Sequence, residues 1–274
     1  MTIPYWADDV RRWDRDRFLC ALLAPEDQRS DLLTLYAFNT EISRIRETVS
    51  EPLLGNIRLQ WWRDTTDAIF AGTPPRHDLA EALAAAITRY ELPRHLFEQI
   101  FDAREFDMQD RPPEDMGALV AYGEGTASTV QTLALNILDG TEEGAIAVRD
   151  LGIAWALTGI LRATPFHASA KRSLLPADLL KAHGLDAMHL SPSKELNRVV
   201  ETVAEVASES LARSRQAKGQ VPKAARNAML LAPLADSYLK CLGRAGFDPF
   251  HPSMRGGAAQ RQLKLAWHSF WGSY

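Results

Sequence analysis

Apolar side chains recur every three or four residues through nearly the whole chain, with polar and charged positions filling the opposite faces, which is the period of an α-helix. Asp8 to Leu23 carries Val10, Trp13, Phe18, Leu22 and Leu23 in this pattern, and Pro25 stands where a second helix opens. That helix runs through Leu32, Leu35, Tyr36, Phe38, Ile42 and Ile45 to Val49, and Pro52 separates it from a third with Leu59, Trp61, Trp62, Ile69 and Phe70. Further helices are predicted over Leu79–Tyr90, Leu96–Met108, Met116–Leu138, Ser193–Lys218, Pro222–Leu242 and Ala258–Trp271, with a short one near Pro176 to His183. Gly123 and Gly125 each weaken the helix that contains them by roughly 1 kcal/mol against alanine, so something is expected to approach its backbone closely.

One stretch departs from the amphipathic pattern. Leu151, Ile153, Ala154, Trp155, Leu157, Ile160 and Leu161 leave almost no polar face, the mark of a helix buried on nearly every side. Polar residues come directly after it: Arg162, Thr164, His167, Ser169, Lys171 and Arg172. Pro165 is expected to end or bend the helix there, gathering polar groups at the mouth of a buried rod. No segment shows sustained period-two alternation, so the fold is read as all-α, a single domain over residues 1–274 with about ten helices around a central cavity.

Composition narrows the function classes. Hydrophobic residues at 46% and charged ones at 24% are ordinary for a globular domain, so disorder is not expected. A net charge of -4 lacks the broad basic footprint of a nucleic-acid binder, and no nucleic-acid partner is expected. Cys20 and Cys241 stand alone, without zinc-ligand spacing or a disulfide framework. The N-terminus, MTIPYWADDVRR, has no apolar core of signal-peptide length, and no run of about twenty apolar residues stands out as a membrane span. A cytoplasmic, bacterial protein is expected, with peripheral contact to the inner membrane as a further candidate.

Leu157, Thr158, Ile160, Leu161, Arg162, Arg172, Leu175 and Pro176 resemble the second active-site segment of the squalene/phytoene synthase family, and Arg17, Phe18, Leu22, Leu23, Pro25, Arg29 and Leu35–Phe38 resemble its opening. Tyr122, Ala127 and Val130 are similar to its tyrosine-containing third segment. The resemblance implies an isoprenoid-synthase-like helical fold. In active members two aspartate-rich motifs face each other and clamp Mg²⁺ against a substrate diphosphate, because that ion needs several hard oxygen ligands. Here the first motif's places read Ser43, Arg44, Ile45, Arg46 and Glu47, and the second's hold Ala163 and His167. The run Leu161-Arg162-Ala163-Thr164-Pro165-Phe166-His167 and the segment from Phe247 to Ser253 resemble instead a branch of the family that assembles mitochondrial respiratory complex I.

The resemblance implies a non-catalytic factor with protein partners in complex I assembly, no cofactor and no metal. The alternative is a transferase acting on isoprenoid or lipid diphosphates, with Mg²⁺ as its ion. The candidate pocket comprises Arg29, Ser43, Arg44, Glu47, Tyr122, Arg162, His167 and Arg172, and an isoprenoid or lipid is its candidate ligand. His167 reads either as a proton-transfer or anion-binding group or as packing at a bent helix end. Arg162 and Arg172 read either as phosphate ligands or as partners of Glu47 or another buried acid. Arg46 is expected in solvent, as is the acidic run Glu98, Asp102, Glu105, Asp107 and Asp110. One of Trp61 and Trp62 is expected to be exposed; the aromatic stripe Trp267, Phe270, Trp271 and Tyr274 is expected to dock on its own domain, with a membrane surface or a partner's groove as the alternatives.

Overall fold

The computed structural model describes residues 5–255 and Leu265. No strand occurs among them. The chain begins with α1 (Ala7–Trp13) and α2 (Arg15–Leu22), two helices where one was expected. Asp14 divides them: its backbone leaves helical geometry at φ -135°, and its carboxylate accepts the amide of Arg17 at 3.1 Å, an N-cap for the second helix. Next come α3 (Glu26–Ser43), a single turn α4 (Ile45–Thr48), α5 (Pro52–Phe70) with proline in its first turn, α6 (Asp78–Tyr90) and α7 (Arg94–Glu105). A 3₁₀ turn, Phe106–Gln109, extends α7.

The helix predicted from Met116 is one rod in two registers. α8 (Met116–Gly123) passes through a π turn, Glu124–Ser128, into α9 (Thr129–Ile137). The remaining helices are α10 (Glu142–Ser169), α11 (Ala177–Ala182), α12 (Lys194–Ala217), capped by the Ser193 hydroxyl, and α13 (Leu231–Arg244). Residues Ala224–Met229, expected to begin the last of these, form a separate 3₁₀ turn, and Pro233 falls in the first turn of α13, where a missing amide costs little. The helix predicted at Ala258–Trp271 and its aromatic stripe lie outside the described residues, apart from Leu265, which is helical and buried.

α10 is the axis of the bundle, packed on α12, the π turn, α8, α9 and α13. Its apolar residues join two cores. Ala147, Val148, Leu151 and Ala154 belong to the larger one, with α3, α6, α7, α9 and α13, while Ile153, Leu157, Ile160 and Leu161 pack against Leu196, Val199, Val200 and Val203 of α12. The α10 helix is long and apolar enough to cross a membrane by length and composition, beyond what the sequence suggested, but 72% of its most apolar stretch is buried inside the domain.

Pro165 does not end this helix, which continues to Ser169. The proline lies close to a C-terminus that is closed independently: Lys171 adopts a left-handed conformation at φ 54°, and the amides of Ala170 and Arg172 donate to the His167 carbonyl. The expected close approaches are present. A Cβ on Gly125 would stand 2.7 Å from the Ala103 Cβ, and one on Gly123 3.1 Å from that of Ala156. The tightest contact involves Gly152, where a Cβ would lie 2.2 Å from the Ser128 Cα, so α10 touches the π turn backbone to backbone. There Ser128 Oγ donates to the Arg149 carbonyl at 2.6 Å.

Candidate functional site

The C-terminal half of α10 faces a cavity of about 510 Å³. Trp155, Ala156, Gly159, Ile160 and Ala163, spaced one helical turn apart or less, make an apolar floor. The walls come from Thr40 and Ser43 of α3, Arg104 of α7 and Asp107 of the 3₁₀ turn after it, and Tyr122 of α8 and Thr126 of the π turn. Trp13, Arg44, Phe166, His167, Asp110, Arg111 and Arg172 also line it, with Trp13, Phe166, Asp110 and Arg111 exposed to solvent. A π turn beside such a site is a recurrent arrangement, since the extra residue re-aims the side chains around it.

Every carboxylate lining the cavity is engaged by a guanidinium. Arg17, only 5% exposed, donates from Nη1 to Asp14 at 2.9 Å. Arg44 lies 3.5 Å from Glu47 and stacks over the Trp13 ring at 3.4 Å. Arg104 donates to Asp107 at 3.1 Å and to the Tyr122 hydroxyl at 2.7 Å, and that hydroxyl donates in turn to Asp107 at 2.7 Å. Asp110 receives two bonds from Arg46, one of them from Nε at 2.9 Å, and a longer one from Arg172 at 3.4 Å.

These pairings shift the titrating groups. The hydrogen bonds from Arg46, with its charge and that of Arg172 behind them, hold the Asp110 carboxyl below the usual range. Burial pushes the Tyr122 phenol up and keeps it a neutral donor. Burial, seconded by the positive charge of Arg172, lowers His167 to about 4, so the imidazole is neutral at pH 7. Its Nδ1 is buried with no partner among the described residues.

Six of the predicted pocket residues line this cavity: Ser43, Arg44, Glu47, Tyr122, His167 and Arg172. Arg29 and Arg162 do not. Arg29 sits about three turns before Thr40 on α3 and donates to the Ala24 carbonyl. Arg162 lies one position off the floor stripe of α10, pairing with Asp16 at 3.4 Å and stacking on the Tyr238 ring at 3.6 Å. Arg46, expected in solvent, is in the site through Asp110. The acidic run divides: Glu98, Asp102 and Glu105 pair with Arg94 and Arg63 on the surface, whereas Asp107 and Asp110 belong to the cavity. Sequence reasoning missed them because α7 ends at Glu105, and the 3₁₀ turn rotates the next residues off the solvent face. Met108, the last apolar residue before the Arg111-Pro112-Pro113 break, carried the signal that the amphipathic pattern stops there.

The donor set does not suit Mg²⁺. Among the described residues no group of three or more His, Cys, Asp or Glu side chains is placed to hold a metal ion. The four cavity carboxylates would have to shed arginines before offering the several oxygens that ion requires.

Comparison with known proteins places these features. The squalene/phytoene synthase family model matches residues 10–268. The chain is 34% identical over 258 residues to the bovine (Bos taurus) NADH dehydrogenase (ubiquinone) complex I, assembly factor 6, covering 93% of this chain and 78% of that one. It is 32% identical over 164 residues to a presqualene diphosphate synthase of Sinorhizobium fredii, covering 59% and 58% of the two chains. The crystal structure of a dehydrosqualene synthase in complex with ligand superposes with a TM-score of 0.83 over 98% of this chain and 96% of that one, at 18% identity.

Proposed function

The chain belongs to the squalene/phytoene synthase family, and we propose that within it this protein works as an assembly factor for respiratory complex I and not as a synthase. The observation that carries the reading is the pairing of all four cavity carboxylates with arginines: the helices face one another as a diphosphate-metal site would need, but their acids are neutralised. Similarity to the bovine assembly factor along 93% of the chain supports the same reading. In this role its partners are proteins of complex I assembly, and it works at the face of the membrane where that complex is built.

The second reading, a transferase acting on isoprenoid diphosphates, draws on the likeness to a presqualene diphosphate synthase. Two measurements decide. Disrupting the gene in the organism that encodes it is expected to deplete assembled complex I on native gels, restored by the wild-type gene. Purified protein given farnesyl diphosphate and Mg²⁺ is expected to release no inorganic diphosphate. Prenyl product together with normal complex I levels overturns the proposal in favour of the transferase.

A further inference from the structure

The α5 helix is apolar on two faces. Gly55, Leu59, Trp62, Thr66 and Ile69 are buried against the domain, as the helical period requires of one face. Leu53, Leu54, Ile57 and Trp61 are instead 43% to 65% exposed. Leu53, Ile57 and Trp61 stand four residues apart, so they form one stripe about 12 Å long that points away from the core. No other helix among the described residues exposes more than two large apolar side chains, and the two on α10, Ile146 and Phe166, lie far apart along it. Single exposed apolar residues need no explanation, but four on one helix mark an interaction surface.

The stripe is rigid and has a feature beside it that can set register. The Trp61 ring stands edge-on to Trp62 at 4.9 Å and to His77 at 5.4 Å, and Trp62 packs edge-on to the buried Phe38 at 5.4 Å. The exposed indole is held in place from the core outward, so packing on it costs little side-chain entropy. Along one flank a recess of about 380 Å³ opens between Asn56 and Gln60 of α5 and Gln109 of the 3₁₀ turn, with Leu59 and Met108 buried beneath.

Charge decides what covers the stripe. Glu51 before it and Asp64 after it, about 20 Å apart along the helix, are exposed and have no cationic partner among the described residues. Asp64 accepts the Gln60 amide at 2.7 Å, and Arg58 turns away to Glu41 at 3.7 Å and to the Thr48 hydroxyl at 2.8 Å. An anionic lipid surface selects apolar stripes flanked by lysine and arginine, the reverse of this one. A second copy fits no better. Antiparallel packing of two α5 helices about Ile57 sets the Glu51 of one beside the Asp64 of the other, and parallel packing sets each acid against its own copy. The complement is an apolar helix face bracketed by basic residues.

We infer that α5 docks an amphipathic helix of a partner protein, whose apolar side chains pack on Leu53, Ile57 and Trp61 and whose lysines or arginines meet Glu51 and Asp64. The inference rests on the assembly-factor reading for the partner's being a protein, and it deepens that reading by naming the surface the partner brings.

The test is fluorescence anisotropy of the full chain with two labelled helical peptides of about eighteen residues that share one leucine stripe. One carries lysine at both ends of the stripe and the other glutamate. The lysine peptide is expected to bind at one site, at least tenfold more tightly than the glutamate peptide. Leu53→Ser combined with Ile57→Ser, at exposed positions outside the core, is expected to weaken binding about tenfold or more. Glu51→Lys combined with Asp64→Lys is expected to reverse the preference between the peptides. The same reversal on exposed positions of α12, Glu195→Lys with Glu201→Lys, is expected to leave it unchanged, which separates docking on α5 from attraction to a net charge of -4.

Equal affinity for the two peptides, binding of neither, or binding that the α5 variants leave unmoved overturns the inference. So does cosedimentation with phosphatidylglycerol vesicles, or a dimer in sedimentation velocity, that the serine variant loses, since lipid or a second copy is then the occupant. Complex I levels in the gene disruption are read separately. Normal levels with intact peptide docking remove the assembly role and leave the surface, and depleted levels without docking do the reverse.

Discussion

Gly152 and Gly159 stand two turns apart on α10 and present the same face of the helix, yet they are glycines for opposite reasons. At Gly152 a Cβ would strike the Ser128 backbone at 2.2 Å, whereas at Gly159 it would meet no atom of the described residues within 4 Å. The first half of the helix is held by contact, backbone against backbone, with Ser128 and Ser214 donating to its carbonyls. The second half packs on α12 along one side and borders a cavity along the other, and the ion pairs of the opposing walls join those walls to themselves. A small residue therefore marks closeness in one place and emptiness in the other, and only the neighbours tell which.

The comparison breaks first at the cavity wall. Asp107→Ala leaves the largely buried Arg104 without its carboxylate, and removing one partner of such a pair costs about 3–5 kcal/mol. Urea denaturation that shows a loss below about 1 kcal/mol would mean that ion pairs do not hold this wall. The next effect depends on pH. His167 titrates near 4 when folded and near 6.5 when unfolded, so between these values the unfolded chain binds the extra proton. Stability then falls as pH drops from 6.5 toward 4, by up to about 3 kcal/mol at 1.36 kcal/mol per unit. The His167→Gln variant is expected to lack this component, and the test is the difference between the two stability–pH curves, since carboxylates contribute equally to both.

The glycines themselves sharpen the contrast. Gly152→Ala forces α10 from the π turn and is expected to lower stability by about 1–3 kcal/mol in the same assay. Gly159→Ala, at an open position with helical backbone, is expected to raise it by up to about 1 kcal/mol, the ordinary gain in helix propensity. Two identical substitutions on one face with opposite signs would establish the difference; a loss at both positions would show the cavity half to be as tightly packed as the buried half.

Much of the fold was open to reading in the chain itself, for reasons that are local. The buried run from Leu151 to Leu161, the amphipathic helix after Ser193 and the tight approaches at Gly123 and Gly125 depend on periodicity and on missing side chains, which sequence displays directly. Asp14, Asp107, Asp110 and Pro165 escaped such reading because each sits where one regular pattern gives way to another. Asp14 reads as a surface position of one long helix until its carboxylate is seen capping a second. Asp110 continues an acidic stripe until the 3₁₀ turn carries it to Arg46 and Arg172. Which arginine meets which acid across helices far apart in sequence is a property of packing, and periodicity does not contain it.

The apolar length of α10 also has a consequence during synthesis. Its principal cover, α12, begins on the order of 25 residues after α10 ends, so the rod emerges from the ribosome before the surface that will bury it exists. To any machinery that reads only length and apolarity, the growing chain presents a membrane span for that interval.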